Sequence, residues 1–203
     1  MYQLYDYVTS GNGYKVALLL HQCHKPFRYI ETDILAGASR TPEFLELNPN
    51  GKIPVLVTPE GHVLSESNAI LLYLAEGTPL LPDDPLLRFE VHRWLFWEQY
   101  SHEPFIATSR FWLHLPNAEE FADKLAARRP GGLKALELME RHLDGRTFLV
   151  GDRYTVADIS LYAYTHKAHE ANFSLENYPA IRAWLDRVGA QPGHLTLENK
   201  MNA

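Results

Sequence analysis

Hydrophobic and polar positions divide the chain into a first part of alternating strands and helices and a second part of helices alone. Residues 2–7 contain the aromatic side chains typical of strands, and from Tyr14 the apolar side chains fall on one face of a helix. Similar patterns continue as far as residue 76. They predict an α/β domain over residues 1–76 with the element order β-α-β-α-β-β-α.

A proline-rich segment separates this domain from the rest of the chain. Residues 77–85 contain three prolines, which is typical of a linker. Residues 86–203 show helical spacing and predict an all-α domain, with interruptions expected near Pro104 and Pro130. After Gln191 the periodicity is weak, and we expect that segment to be partly disordered.

Composition narrows the classes of function. The formal net charge is −6, whereas a surface that binds nucleic acid needs an excess of basic residues. No apolar run approaches the roughly 20 residues that a membrane-spanning helix needs. The first residues lack the order of a signal peptide, and a single cysteine, Cys23, excludes an internal disulfide framework. We therefore expect a soluble cytoplasmic protein that binds neither nucleic acid nor membranes.

Two separated motifs resemble the glutathione-binding core of cytosolic glutathione transferases. They are Asn-Pro-Asn-Gly-Lys-Ile-Pro-Val-Leu at 48–56 and Glu-Ser-Asn-Ala-Ile at 66–70. Residues 151–158 are similar to the motif of the family's C-terminal domain, and residues 4–12 resemble the serine-type bacterial branch. The resemblance implies a thioredoxin-like N-terminal domain and a helical-bundle C-terminal domain. It also implies a homodimer, and glutathione as a co-substrate without a bound cofactor.

The second motif suits the γ-glutamyl end of glutathione, which carries an ammonium and a carboxylate. Glu66 offers a carboxylate to the ammonium. Glu66 and Ser67 also stand where the free N–H groups of a helix N-terminus favour an anion. Capping of this helix by Ser65 or Ser67 is the structural alternative.

The first motif suits the rest of the tripeptide. In the resemblance, Ile53–Pro54 is a cis-proline turn at which the backbone of Ile53 pairs with the cysteinyl backbone of glutathione. An ordinary trans proline at the start of a strand is the alternative. Lys52 and Arg40 are the candidates for balancing the charge of the glycyl carboxylate.

Ser10 is the candidate catalytic residue, because it lies between the first predicted strand and the first predicted helix. A hydroxyl there donates a hydrogen bond to the glutathione sulfur, and the helix N-terminus favours negative charge, so both effects favour the thiolate. Thr9 and Asn12 are alternative donors, and Asn12 is also a predicted glutathione contact. Tyr7 is the competitor that the tyrosine-type branches would use. The structural alternative for Ser10 is a cap or turn residue.

Aromatic residues over 94–112 predict an apolar pocket for a second substrate. Most aromatic residues at helical spacing belong to a core, but a helix that bends at Pro104 directs later side chains towards the thiol across the domain cleft. Phe105, Arg110 and Trp112 are the predicted pocket residues. An arginine among aromatic residues suits an anionic or carbonyl-bearing electrophile.

Other chemically capable residues have structural interpretations. Cys23 lies on the apolar face of the first helix, which is typical of a small core residue. The ten histidines are scattered without the spacing of metal ligands, so no metal site is predicted. Thr155 and Asp158 form the T-x-x-D arrangement of a reciprocal helix cap, which predicts a structural role for Asp158.

The leading hypothesis is that the chain activates the glutathione thiol as a thiolate for attack on an apolar electrophile. One alternative is glutathione-dependent reduction of a disulfide or peroxide without a protein cysteine. Another is a non-catalytic glutathione- or ligand-binding protein of the same fold. Isomerisation of the maleylacetoacetate type is disfavoured, because its serine-serine-cysteine signature is absent.

Overall fold

The computed structural model describes residues 1–202 and divides them into two compact units. The first comprises Met1–Thr78 together with the described part of Gln191–Ala203. The second comprises Pro79–Ala190. The first unit thus includes a C-terminal segment that the sequence-based prediction assigned to the helical domain.

The first unit has the predicted element order β-α-β-α-β-β-α. Its elements are β1 Tyr2–Asp6, α1 Gly11–Gln22, β2 Phe27–Glu31, α2 Pro42–Leu47, β3 Val55–Val57, β4 Val63–Ser65 and α3 Ser67–Ala75. The strands form one mixed sheet in the order β2-β1-β3-β4. β1 is parallel to β2 and antiparallel to β3, and β3 is antiparallel to β4. The thioredoxin-like N-terminal domain is thereby confirmed.

The turn after β1 follows a central strand of the sheet, because β1 pairs with β2 on one side and with β3 on the other. Helix α1 starts at Gly11, where Ser10 caps it, three residues before the apolar spacing begins at Tyr14. Most of α1 is buried, including all residues from Gly13 to Leu20. The core of this unit therefore packs directly behind the turn that joins β1 to α1.

The C-terminal segment is folded, so the prediction that it is partly disordered is wrong for the described residues. Leu197–Asn202 form a 3₁₀ helix, and Leu195 and Leu197 are buried. The Tyr14 hydroxyl donates a hydrogen bond of 2.7 Å to the Leu195 carbonyl. A long-range contact of this kind leaves no periodic pattern in the sequence.

The second unit is helical, as predicted. Its α-helices are α4 Pro85–Trp97, α5 Glu103–Leu113, α6 Ala122–Leu143, α7 Val156–Thr165 and α8 Pro179–Gly189. A π-helical turn, Glu98–His102, joins α4 to α5 and places Pro104 in the first turn of α5, where a proline is tolerated. None of the described helices is long and apolar enough to cross a membrane.

Helix α6 passes through Pro130 without the predicted interruption. The two glycines that follow the proline explain the tight packing at this point. A Cβ added at Gly131 would overlap the ring of Phe105, and one at Gly132 would overlap the ring of Phe173. The glycines therefore serve close approach of neighbouring side chains and do not end the helix.

Asp158 has the predicted structural role in α7. Its carboxylate accepts hydrogen bonds from the backbone N–H and hydroxyl of Thr155 and from the backbone N–H of Leu149. The indole N–H of Trp184 donates a further bond of 2.9 Å. Burial raises the pKa of Asp158 to about 6, although these hydrogen bonds act in the opposite direction.

Candidate functional site

Ser10 caps the N-terminus of α1. Its Oγ accepts a hydrogen bond of 3.1 Å from the Gly13 N–H, and its own N–H donates to the Tyr7 carbonyl at 2.8 Å. The side chain is only partly buried, and it stands at the positive end of the helix dipole. The capping role foreseen as an alternative is therefore present. It coexists with a position suited to a nearby anion.

A buried ion pair lies beneath this turn. The Lys200 ammonium donates to the Asp6 carboxylate, to the Tyr7 carbonyl at 2.8 Å and to the Ser10 carbonyl at 2.9 Å. Burial raises the pKa of Asp6, and Lys200 and the Ser10 hydroxyl oppose that shift. Sequence reasoning missed both charged residues. For Asp6, the available signal was its position as a single acid at the end of an apolar strand. No sequence pattern indicated Lys200.

Tyr7, the competing donor, belongs to a different part of the turn. Burial raises the pKa of its hydroxyl, and the carboxylates of Asp33 and Glu31 add to the shift. Glu31 is the last residue of β2, and Asp33 follows that strand. In the sheet, β2 lies on the opposite side of β1 from β3 and β4. The motif residues of 48–56 and 66–70 adjoin β3 and β4 on the other side of β1, and the choice of Ser10 or Tyr7 as the thiol donor stays a prediction.

Ser67 links the N-terminus of α3 to that of α1. Ser67 is buried, and its hydroxyl donates a hydrogen bond of 3.2 Å to the Asn12 side-chain oxygen. Two residues predicted as glutathione contacts from separate segments of the sequence are therefore neighbours. The first N–H groups of both helices lie in the same region of the first unit.

Glu66 immediately precedes α3 with an unusual backbone conformation. Its φ of 67° lies in the left-handed region, which costs energy for a residue other than glycine. The Glu66 side chain is exposed. A strained position directly before a helix N-terminus is typical of functional sites.

The loop before β3 is shaped by Asn48. Its amide donates to the Lys52 carbonyl at 2.8 Å, and its side-chain oxygen accepts from the Asn50 N–H at 3.1 Å. The Ile53–Pro54 peptide bond is cis, as the resemblance implied. Within residues 1–202 the backbone N–H and carbonyl of Ile53 have no hydrogen-bond partner. The Lys52 side chain is exposed.

Arg40 supports the same loop from outside. Its guanidinium donates to the Asn50 carbonyl at 3.1 Å and lies against Gly51, where a Cβ would overlap it. Gly51 has a φ of 62°, which a glycine adopts without strain. Arg40 therefore has a clear structural role, and a contact with the glycyl carboxylate stays a prediction.

The three residues predicted for the second-substrate pocket have different surroundings in the second unit. Phe105 lines a cleft of about 460 Å³ together with Trp97, Tyr100 and Leu138. Arg110 is buried, and its Nε donates to Glu170 at 2.7 Å.

Trp112 belongs to a separate aromatic cluster. It stacks on Phe121 at 5.0 Å between ring centroids, and the Arg128 guanidinium lies 4.4 Å from its ring centroid. Arg110 and Trp112 do not line the cleft of Phe105. Within the second unit the three residues therefore form no single pocket.

The described residues provide little for metal or cysteine chemistry. No group of three or more His, Cys, Asp or Glu side chains within them is placed to hold a metal ion. Cys23 is half-buried rather than in the core, and burial raises the pKa of its thiol. A raised thiol pKa favours the unreactive protonated form.

Comparison with known proteins gives matches over most of the chain. The family model of the glutathione S-transferase N-terminal domain matches residues 9–76, and the model of the C-terminal domain matches residues 98–192. The crystal structure of a glutathione S-transferase from Pseudomonas fluorescens is 46% identical, with a TM-score of 0.94. That match covers 97% of this chain and 98% of the other.

Related proteins with named activities differ from one another. The disulfide-bond oxidoreductase YfcG of Escherichia coli is 30% identical, over 95% of this chain and 92% of its own length. The maleylacetoacetate isomerase of Rhizobium meliloti is 35% identical, over 91% of this chain and 89% of its own length. The named activities of these relatives therefore differ.

Proposed function

Because this chain belongs to the glutathione S-transferase family, we propose that it activates the thiol of glutathione as a thiolate for attack on an apolar electrophile. Glutathione is the co-substrate in this reaction and not a bound cofactor. The thiol first gives up its proton to solvent. The sulfur then forms a bond to the electrophilic carbon, and the leaving group departs with the bonding electrons.

The contact between Ser67 and Asn12 carries this proposal. It brings the N-termini of α3 and α1 together within one unit, so one helix can hold the γ-glutamyl carboxylate while the other faces the sulfur. Glu66 supplies the carboxylate for the γ-glutamyl ammonium. Ser10 donates its hydroxyl to the sulfur, and a charge-assisted hydrogen bond of this kind stabilises a thiolate relative to a thiol.

The middle and the glycyl end of glutathione are assigned to the loop before β3. The backbone N–H and carbonyl of Ile53 are available to pair with the cysteinyl residue as an added strand. We assign the exposed ammonium of Lys52 to the glycyl carboxylate, with Arg40 as the second candidate cation. Pro54 fixes the direction of the chain at this point.

We assign the second substrate to aromatic residues of α5. Phe105 lines an open apolar cleft, which makes it the best supported of the three pocket residues. Arg110 is already paired with Glu170, so an anionic group on the electrophile would have to compete for its guanidinium. Trp112 stacks on Phe121 outside this cleft, so its part in the pocket stays a prediction. The unpaired thiol of Cys23 is suited to the reducing cytoplasm, where we place the protein.

Reduction of a disulfide is the second candidate, and the similarity to the oxidoreductase YfcG favours it. In that reaction one glutathione thiolate attacks a substrate sulfur and expels the other sulfur as a thiolate. A second glutathione then attacks the mixed disulfide, so two glutathiones are oxidised to glutathione disulfide and the substrate is reduced. The first step needs the same activated thiolate.

A panel assay distinguishes these functions. The protein is supplied with glutathione and, separately, an aryl halide, an organic hydroperoxide and a small disulfide. Turnover of the aryl halide supports conjugation, whereas turnover of the disulfide or hydroperoxide alone supports the reductase. Glutathione binding without turnover of any of the three identifies a binding protein of the same fold and contradicts both enzymatic proposals.

A further inference from the structure

We propose that Lys200 is a positioning residue of the glutathione site, whose ammonium holds the turn from Tyr7 to Ser10 in the shape that presents Ser10 to the sulfur. The role assigned to the sulfur rests on the proposed function. The effect on the turn stands on the contacts of Lys200 alone.

The ammonium of Lys200 donates hydrogen bonds to both ends of the turn. An ammonium has three N–H donors, and here they serve the Asp6 carboxylate, the Tyr7 carbonyl and the Ser10 carbonyl. The Ser10 carbonyl also accepts the first helical hydrogen bond of α1, from the Tyr14 N–H at 3.2 Å. One cation therefore fixes the exit of β1 relative to the first turn of α1.

The pair formed by Lys200 and Asp6 is fully buried, with 0% of either side chain exposed. A Cβ at Gly13 would overlap the Asp6 carboxyl, so the sequence leaves room for this carboxylate directly under the helix N-terminus. An apolar pair in such a place often stabilises a protein equally well. It would not bind the two backbone carbonyls, which is the property that a positioning role requires.

The same turn is held on its other side by Glu31. The Glu31 carboxylate accepts the Val8 N–H at 3.3 Å and the Tyr29 hydroxyl at 3.0 Å. The Lys200 ammonium lies 5.8 Å from the centroid of the Tyr29 ring. Polar contacts from β2 and from the C-terminal segment thus surround the turn that carries the candidate catalytic hydroxyl.

Three variants test this role: Lys200→Met, the double variant Asp6→Asn with Lys200→Met, and the control Met201→Ala. The double variant removes both charges, so it restores a charge-balanced interior without restoring the contacts to the two carbonyls. Met201 lies on the same 3₁₀ helix but is 43% exposed, so its substitution perturbs the segment and spares the ammonium.

Hydrogen exchange of residues 7–13 in the protein without glutathione measures the turn directly. We expect exchange there to be about tenfold faster or more in Lys200→Met and in the double variant, and unchanged in Met201→Ala. We also expect the double variant to recover most of the thermal stability that Lys200→Met loses. Wild-type exchange at the turn in the double variant would overturn the proposal, even if the single variant does not fold.

Kinetics connect the turn to the chemistry. The kcat of the double variant should be about tenfold lower near neutral pH, with KM for glutathione within about twofold, because the contacts of Glu66, Ser67 and Lys52 remain. Full recovery of kcat would contradict the positioning role. If the wild type itself turns over no substrate, the proposed function fails, and the exchange measurement still decides the role of Lys200.

Discussion

At the scale of single residues, Glu66 and Ser67 carry the γ-glutamyl contacts on which glutathione binding depends in this account. Both stand at the start of α3, and Ser67 is buried against Asn12. A polar group of the ligand that is buried there without a hydrogen-bond partner loses its hydration without compensation, which weakens binding. Binding should therefore respond strongly to small changes here.

We predict that Ser67→Ala and Glu66→Ala each weaken glutathione binding by about 1–3 kcal/mol, because each leaves a polar group of the ligand without its partner. Isothermal titration calorimetry measures the affinity, and circular dichroism checks that the fold is retained. Ser65→Ala is the matched control, since Ser65 is exposed at the end of β4. Unchanged affinity in both variants would leave these residues with a capping role only.

Single residues also show which parts of the site the sequence could predict. Ser10, Asn12 and Ser67 were predicted from local motifs, and the structure brings Asn12 and Ser67 into contact. Lys200 was not found, because its three partners lie about 190 residues away in the chain. No local pattern encodes a contact across such a distance.

At the scale of elements, the packing of α6 depends on the two glycines after Pro130. We predict that Gly132→Ala lowers the free energy of unfolding by about 1–3 kcal/mol, because its Cβ would overlap the Phe173 ring. The matched control is Gly189→Ala in α8, where the nearest atom to the new Cβ is the Tyr162 hydroxyl at 3.8 Å. This control should be neutral or about 0.5–1 kcal/mol more stable.

Chemical denaturation of both variants makes this comparison. Equal destabilisation of the two variants would mean that overlap with the Phe173 ring does not determine the effect. The proline itself explains why sequence reasoning failed at this element. An interior proline predicts a break on local grounds, whereas here tertiary packing from Phe105 and Phe173 holds the helix continuous.

The cap of α7 provides a pH-dependent prediction. Burial raises the pKa of Asp158 from 3.8 to about 6, so the folded state favours its protonated form. The corresponding stability is fully present below about pH 4 and is lost as the pH rises through about 6. A shift of about two pKa units is equivalent to roughly 3 kcal/mol.

Denaturation of the wild type and of Asp158→Asn between pH 4 and pH 7 isolates this effect. The variant should be less stable throughout, because its amide NH₂ faces the Thr155 donors. We expect the gap between the two proteins to narrow as the pH rises from 4 to 6. A constant gap would show that Asp158 does not titrate in this range.

At the scale of the whole molecule, we propose a homodimer, as the family resemblance implies. Helix α4 exposes a stripe of apolar side chains that supports this proposal: Leu86 is 76% exposed, Phe89 59% and Phe96 77%. These positions fall on one face of the helix, and exposed apolar surface of this kind is typical of an interface. Exposed Tyr73 on α3 is a further candidate contact.

Light scattering at micromolar concentration should give roughly twice the chain mass of 23.2 kDa. Phe96→Glu should shift the mass towards the monomer, because it buries a charge at the interface. Leu35→Glu, an exposed apolar position in the first unit, is the control and should leave the mass unchanged. A wild-type mass near that of one chain would contradict the dimer.

The order of elements and the presence of two parts followed from periodicity, because each element carries its own local pattern. The unit to which residues 191–202 belong did not follow, because packing of Leu195, Leu197 and Lys200 decides it. In our proposal for Lys200, the candidate site depends on this packing. The residues predicted to contact glutathione lie in motifs within residues 1–76. The contacts that hold the turn before α1 come from Lys200, near the other end of the chain.

Ser10→Ala should separate binding of glutathione from its activation. The variant keeps the γ-glutamyl, backbone and glycyl contacts, so its affinity should change little. Loss of one charge-assisted hydrogen bond should raise the thiol pKa by about one to two units and lower the rate near neutral pH by about ten- to a hundredfold. Raising the pH should recover part of the rate. If the pKa stays unchanged, the same measurement on Thr9, Asn12 and Tyr7 variants locates the donor.

In the proposed mechanism, the turn between β1 and α1 lowers the thiol pKa of bound glutathione. The most direct test is a titration of thiolate absorbance in the ultraviolet with the wild-type protein saturated with glutathione. The complex with S-methylglutathione serves as the blank, since it binds without a free thiol. We predict a pKa at least about one unit below the usual value of about 8.5. A bound thiol that titrates at about 8.5 would contradict the account.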